Sequence, residues 1–361
     1  MKFIYESSIK TEYLIHVFER FPLLLKITPP QYNYKILDES TGLVNQSIYV
    51  KTLNREISFD SIFKKIDHNS FSIKIISGQL KGSETRIKFI SNDEQTKIYV
   101  EINLQLGFKF KIFSSILNNK IKTTNISLFQ RLEKFIDLLF NNKYEVSFEN
   151  NYEILVIDLK DKKLFFSGWW LGDIWSSFIG NTYEKIPFEN KQILDIGSNI
   201  ADTAISFIYK GAKKVIAFEP FPINYEFAKL NILKNNMNEK IINIHGGCSG
   251  KSSNIIIDSN LSGLGYQMKE TENGIKIKQF SLKEIVEKFN IFSGIIKMNC
   301  EGCEYDSIIN SSNEVLRKFS HILIQYHDGF DLLKQKLDDA GFIVIIDEYS
   351  QNKGQLFAEI K

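Results

Sequence analysis

Two acids stand where a chain can hold a nucleoside. Asp195 ends an apolar run and opens the turn Asp195-Ile196-Gly197-Ser198-Asn199-Ile200-Ala201-Asp202-Thr203, and Glu219 ends a second run, 24 residues later, in Phe218-Glu219-Pro220-Phe221. A glycine directly after a strand lets backbone and ligand approach closely at the carboxyl edge of a sheet. A dinucleotide fingerprint would be Gly-x-Gly-x-x-Gly, with helix N–H groups meeting a pyrophosphate. Here Gly197 stands alone behind an acid that would repel a pyrophosphate and attract a cation. An acid placed like Glu219 can accept both hydroxyls of a ribose. Either acid alone reads equally well as an ordinary loop residue; together, at this spacing, they mark one binding edge. The turn His245-Gly246-Gly247 after a third strand offers backbone and apolar contacts to a base ring, or is a plain glycine turn.

A second constellation is Asn299, Glu301 and Glu304 after a fourth strand, with His327 and Asp328 after a fifth, one strand spacing (~5 Å) away. Glu301 or His327 is expected as a general base, and Glu304 as an orienting or turn-anchoring group. The competing reading makes the two glutamates caps of the following helix and His327 a satisfied strand-end histidine. The pair Cys300 and Cys303, with His245 and Cys248, raises the idea of zinc. With strands in the order 3-2-1-4-5, however, the ends of strands three and four lie ~14 Å apart. The cysteines are therefore expected to be small buried packing residues, and no metal site is assigned. A divalent cation on Asn299, Glu301 and Asp328 stays open. Trp169, Trp170 and Trp175 fall within seven residues, as a lid over a site or a packing seam between domains.

The elements that must position these groups follow from the pattern after Glu149. Strands are predicted at Ile193–Ile196, Val215–Glu219, Ile241–His245, Ile295–Met298, His321–Tyr326, Phe342–Ile346 and Gln355–Ile360. Helices fit Ala201–Lys210, Ile223–Asn236, Leu282–Phe289, Tyr305–Asn310 and Asp331–Ala340. Strands separated by helices call for a parallel α/β sheet with right-handed crossovers. The last two strands are joined by too few residues for a crossover helix, so the seventh must run antiparallel. The resulting Rossmann-like order, 3-2-1-4-5-7-6, resembles that of class I S-adenosylmethionine-dependent methyltransferases. The ammonium and sulfonium of S-adenosylmethionine suit an acid at Asp195.

Residues 1–145 have a different rhythm. Lys2–Ser8 alternates as a strand, Tyr13–Ile27 is apolar at helical spacing before Pro29 and Pro30, and Leu128–Asn141 reads as a long amphipathic helix. Between them lie strand-like runs at Tyr32–Ile36, Ser47–Leu53, Arg55–Phe59, Ser70–Ile76, Thr85–Phe89, Thr96–Leu104 and Gly107–Phe113, with turns at Gly78, Gly82 and Ser91–Asp93. This order resembles the α+β helix-grip fold of the SRPBCC superfamily (START domains, polyketide cyclases, pollen-allergen-like proteins), in which a curved sheet wraps a long helix around an apolar cavity. A pocket for an apolar ligand and a packed scaffold both remain open, depending on whether Phe71, Phe89 and Phe108 fill that cavity.

Composition sets the frame. The chain has 361 residues, 43% of them hydrophobic, enough for two domains, read as 1–145 and 146–361. Forty-five basic against 43 acidic residues give no electrostatic footprint for nucleic acid. Three cysteines are too few for a secreted disulfide framework, and neither a signal peptide nor a membrane span is read, so a cytoplasmic location is expected.

The ordered set Asp195-Ile-Gly-Ser-Asn, Phe218-Glu-Pro, Asn231 with Asn235-Asn236, Phe280-Ser-Leu and Lys297-Met-Asn-Cys-Glu-Gly-Cys-Glu304 resembles the FkbM family of methyltransferases over roughly residues 150–361. The resemblance implies O-methyl transfer from S-adenosylmethionine to a hydroxyl of a sugar, glycan or lipid-like small molecule, with Asp195, Gly197, Ser198, Asn199, Asp202, Thr203, Glu219, Pro220, Phe221, Gly246 and Gly247 on the cofactor and Asn299, Glu301, Glu304 and His327 at the chemistry. Three positions depart from the family: Ala201 replaces a glycine, Asn299 an aspartate, and Gln325 a glutamate. Losing two carboxylates keeps open an alternative, a non-catalytic protein binding S-adenosylmethionine and an apolar ligand through a drifted methyltransferase domain.

Overall fold

The computed structural model describes residues 1–27, 34–38, 40–50, 55–92, 95–107, 111, 113–140, 145–180, 182–258, 271, 272, 274–350 and 352–361. The chain forms two compact units, Met1–Tyr152 with Trp170–Gly172, and Glu153–Trp169 with Asp173–Lys361.

In the first unit, strands β1 (Lys2–Ser7), β2 (Tyr34–Asp38), β3 (Thr41–Val50), β4 (Arg55–Asp67), β5 (Ser70–Ile75), β6 (Glu84–Asn92) and β7 (Gln95–Asn103) form an antiparallel sheet in the order β1-β7-β6-β5-β4-β3-β2. The strand β8 (Glu145–Glu149) follows later in the same unit. Alternation along β7, with Thr96, Ile98, Val100 and Ile102 buried, shows the period-2 pattern that directs one face inward. That face is closed by rings. Phe18 lies 5.0–6.0 Å from Phe63, Phe71 and Phe89, and Phe21 lies 5.5 Å from Phe63. Phe71 and Phe89 are thus covered by protein; Phe108 lies outside the described residues.

Three sequence expectations change here. The apolar run Tyr13–Ile27 is two helices, α1 (Thr11–Phe18) and α2 (Phe21–Leu25). Pro22 in the first turn of α2 cannot donate to the carbonyl four residues back, so the chain restarts there; Pro29 and Pro30 lie outside the described residues. The helix expected over Leu128–Asn141 is the 27-residue α3 (Ser114–Phe140). Its first half, rich in Asn, Lys and Thr, hides from a search for apolar spacing, although Leu117 and Asn125 are buried. No strand forms at the described residues of 107–113: Gly107 is irregular, and Lys111 and Phe113 already coil as 3₁₀ turns ahead of α3. The far half of α3 buries Phe129, Leu132, Phe135, Ile136 and Leu138, and its Glu133 accepts hydrogen bonds from Tyr5 (2.8 Å) and Ser7 (2.6 Å) of β1.

The second unit begins with the hairpin β9 (Ile154–Asp158) and β10 (Lys163–Ser167). Its main sheet contains β11 (Gln192–Ile196), β12 (Lys214–Glu219), β13 (Ile241–His245), β17 (Gly294–Met298), β18 (Phe319–Tyr326), β19 (Phe342–Ser350) and β20 (Lys353–Ile360), in the order β13-β12-β11-β17-β18-β20-β19. Counted along the chain that is 3-2-1-4-5-7-6. The first five are parallel, and β20 is antiparallel to both neighbours. A small sheet of β14 (Gly247–Cys248), β15 (Ser253–Ile257) and β16 (Ile275–Phe280) stands beside it. Helices α5 (Asp202–Tyr209), α6 (Pro222–Lys234), α7 (Leu282–Phe289), α8 (Cys303–Ile309) and α10 (Asp331–Asp339) join the strands, with a short turn α9 (Asn313–Leu316); α4 (Leu171–Ile174) runs into a π-helical turn, Trp175–Ile179. Strands β11, β12 and β17 carry almost continuous apolar runs because helices cover a parallel sheet on both faces.

Candidate functional site

The carboxyl ends of β11, β12 and β17 gather charge that is shut away from water. Lys297, at the fourth position of β17, donates to Asp195 Oδ1 at 2.7 Å and to the Gly197 carbonyl at 2.9 Å. Both side chains are buried, 2% and 0% exposed. Asp195 Oδ2 accepts from the Thr203 hydroxyl, which α5 brings back over the turn. Both oxygens of Asp195 are thus engaged within the protein. Nothing in the type of Lys297 signals this role, because a lysine is ordinarily exposed to solvent.

The turn itself is wound tightly. Gly197, Asn199 and Ala201 all have positive φ, at +75°, +50° and +65°. A Cβ on Gly197 would sit 2.1 Å from the Asn299 carbonyl oxygen. Gly197 is therefore needed so that the β11 turn can pack against the β17 turn, where Asn299 N–H also donates to Ile196 O at 3.0 Å. The N–H groups a phosphate would use are occupied: Gly197 and Ser198 donate to Phe218 O, Ala201 to Ser198 O, and Asn199 to Glu219 Oε2 at 2.8 Å. Glu219 Oε1 accepts from Phe221 N–H at 3.0 Å. A carboxylate already fills the anion-binding concavity of this turn, which counts against a pyrophosphate.

Three further acids converge on this edge. Burial pushes Glu219 up to about 7 and Asp202 up to about 6, against hydrogen bonds that pull each down. Asp202 accepts from Ser177, a residue of the π-helical turn. Asp173, just before that turn, is raised well above the usual carboxylate range, first by burial and then by the Asp202 charge. The Asn199 side chain donates to Asp173, while its Oδ1 accepts from Asn224 at 2.6 Å. Three buried polar atoms bordering the turn have no hydrogen-bond partner: Asp173 Oδ2, Ser198 Oγ and Asn299 Oδ1. Such unpaired acceptors are costly unless a ligand meets them.

The remaining expected cofactor residues, Pro220, Phe221, Gly246 and Gly247, are buried. Pro220 O approaches His245 Nε2 at 3.1 Å, and the His245 ring stacks on Tyr225. Phe221 packs with Ile257 and Ile277. Gly246 N–H donates to Glu219 O, and a Cβ there would meet the Phe280 ring at 2.9 Å; Gly247 pairs with Gln279. Asn231 and Asn235 have framework roles, pinning Ser167 and Phe165 of β10 through paired backbone hydrogen bonds.

A second cluster lies where β17 and β18 end. Glu304, 0% exposed, accepts from Gly302 N–H at 2.9 Å and holds His327 Nδ1 at 3.0 Å. His327 Nε2 is 3.5 Å from Glu301 Oε1. Burial alone would lower the His327 pKa, but the bond to Glu304 and the charge of Glu301 outweigh it and raise it. Tyr305 fixes the strand end by accepting from His327 N–H (3.2 Å) and Asp328 N–H (2.7 Å). Asp328 is exposed, and Gln325 faces Gln355 across β18 and β20.

The cysteines require a correction. Cys300 and Cys303 are joined in a disulfide across the Glu301-Gly302 turn, where the expectation was small packing residues. Helix α8 starts at Cys303 and brings the two Cα atoms to 5.5 Å, within bonding range. Cys248 is free and buried against Ser307, with its thiol pushed up to about 12, chiefly by burial. Among the described residues, the one group of acids, histidines and cysteines close enough to share an ion is Cys300, Cys303 and Glu304, and its two sulfurs are already bonded to each other. Of the tryptophans, Trp169 is buried in the second unit, whereas Trp170 belongs to the first and lies against Arg131.

Residues 195–344 match the family described as the methyltransferase FkbM domain. No curated protein matches the chain. Among solved structures, a START superfamily protein from Mycobacterium smegmatis resembles the N-terminal part (13% identity, 38% of this chain and 97% of that one, TM-score 0.31). A conserved protein from Geobacillus kaustophilus is similar at 17% identity, over 38% and 94% of the two chains, with a TM-score of 0.32. A protein of the NADB-Rossmann superfamily from Streptococcus agalactiae is similar at 16% identity, over 52% and 67%, with a TM-score of 0.33. Such values carry no activity from one chain to another. No helix among the described residues is long and apolar enough to cross a membrane.

Proposed function

We propose that this chain is an S-adenosylmethionine-dependent O-methyltransferase acting on a hydroxyl of a sugar, glycan or lipid-like acceptor. The observation that carries the cofactor reading is an excess of acids over cations at this edge: among the described residues, Asp195, Asp202 and Glu219 are buried, Asp173 has its Oδ2 enclosed, and the buried cation is Lys297, itself paired to Asp195. A cationic ligand restores that balance and a pyrophosphate worsens it. Asp195 acts through the turn that it and Lys297 hold, Glu219 faces the ribose, and Ser198, Asn199, Asp202 and Thr203 shape the pocket. The bound cofactor supplies an electrophilic methyl group on sulfur.

For the acceptor, Glu304 keeps the proton on His327 Nδ1 and so leaves the lone pair on Nε2, beside Glu301. Nε2 takes the hydroxyl proton as the oxygen attacks, and the neighbouring Glu301 carboxylate stabilises the imidazolium formed. Asn299, whose backbone N–H donates to Ile196 O, stands on the border between the two clusters. No step requires a metal; titration with magnesium tests a divalent cation on Asn299, Glu301 and Asp328. The domains proposed are a helix-grip domain at 1–145, with α3 as the gripped helix, and a class I methyltransferase domain at 146–361, in a cytoplasmic protein.

Calorimetric titration with S-adenosylmethionine, S-adenosylhomocysteine and NAD tests the cofactor. The first two should bind and NAD should not; the reverse would end the proposal. Single-turnover methylation of a panel of sugar and lipid alcohols then tests the chemistry, and cofactor binding without turnover on any of them would favour a non-catalytic sensor.

A further inference from the structure

Asp173 lies ahead of the matched residues 195–344, in the tryptophan-rich segment that no cofactor motif includes. Its surroundings differ from those of the other acids at the site. Asp195 has Lys297 and Thr203 on its two oxygens, Glu219 has two backbone N–H groups, and Asp202 has Ser177. Asp173 Oδ2 is the single carboxylate oxygen among the described residues that is buried with no partner. The Asn199 side chain, held in turn by Asn224, donates to Asp173 and so ties it to the glycine turn. Ser198 Oγ and Asn299 Oδ1 border the same turn, also buried and unpaired. A carboxylate oxygen, an amide oxygen and a hydroxyl oxygen, each able to accept and each without a partner, suit a group that brings three N–H bonds and a positive charge.

We propose that Asp173 is the carboxylate that receives the α-ammonium group of the bound cofactor, with Ser198 and Asn299 completing its hydrogen bonds. This rests on the reading of the site as one for S-adenosylmethionine. It explains why the chain retains an acid where burial and a neighbouring acid, Asp202, both oppose its charge: the group is unfavourable until the ligand arrives.

The test compares S-adenosylhomocysteine, which carries the ammonium, with 5′-methylthioadenosine, which keeps the nucleoside and thioether but lacks the amino acid. Asp173→Asn should weaken S-adenosylhomocysteine at least about tenfold, leave 5′-methylthioadenosine within about twofold, and leave the thermal midpoint of the ligand-free protein unchanged or higher. Asp173→Ser, which removes the acid without an isosteric amide, should repeat the pattern and serves if the first variant folds poorly. Equal weakening of both ligands, or no weakening of either, overturns the assignment. Wild-type protein that binds neither ligand overturns the cofactor reading itself, a result separable from the first because it needs no variant.

Discussion

The ring cluster of the first unit and the carboxyl edge of the second unit's sheet are equally closed to water and chemically opposite. Phe18, Phe21, Phe63, Phe71 and Phe89 meet one another directly, so their burial follows from the transfer of hydrocarbon out of water. At the other place the buried groups are Asp195, Asp202, Glu219 and Lys297, which water would solvate far better. Burial of the first kind holds a fold together. Burial of the second kind works against the fold and marks where a ligand is expected to complete the charge balance.

The sharpest way to break that contrast is to remove the buried cation. Lys297→Ala should cost about 3–5 kcal/mol in urea unfolding, since Asp195 is left uncompensated, and should abolish cofactor binding. A loss below about 1 kcal/mol would show the acids to be solvated. The matching change in the other region, Phe71→Ala, should cost about 3–4 kcal/mol through its cavity, yet leave S-adenosylhomocysteine affinity unchanged.

The pH dependence separates the two regions next. Glu219 and Asp202 titrate at about 7 and about 6 in the fold, above their ordinary values. Stability from these groups is full below the ordinary carboxylate range and is lost as pH rises through 6 and 7. The ligand-free protein should therefore be more stable at pH 5 than at pH 8, on the order of 2 kcal/mol, with the difference shrinking when S-adenosylmethionine is bound. Thermal melts at the two pH values check both points; greater stability at pH 8 would contradict the buried-charge account. The smallest expected effect is at Ala201, which holds a left-handed conformation at φ +65°. Ala201→Gly should raise stability by about 1 kcal/mol, read as a higher urea midpoint.

The parallel sheet was legible because apolar runs and helical stretches alternate, and Asp195 and Glu219 were legible as acids closing two of those runs. What periodicity misses is a polar group facing inward. Lys297 and Asp173 carry no signal of burial in their types, and their roles depend on neighbours more than twenty residues away in sequence. The same blindness hid the start of α3, where buried Asn125 sits among polar residues that satisfy each other locally. Pro22 is the opposite case, a plain signal of a helix start inside an apolar run whose composition promises one helix.

The division of the chain into units has a consequence for its heredity and handling. Backbone of the first unit ends at Tyr152, the hairpin β9–β10 belongs to the second, three residues at Trp170–Gly172 return to the first, and the next, Asp173, is again in the second. A single recombination breakpoint cannot therefore exchange one unit whole: a junction at 152 leaves three residues of the first unit behind in the new partner, and one after 172 carries off the hairpin that Asn231 and Asn235 grip. Fragments cut for expression meet the same choice, and a clean separation needs the hairpin and those three residues replaced together.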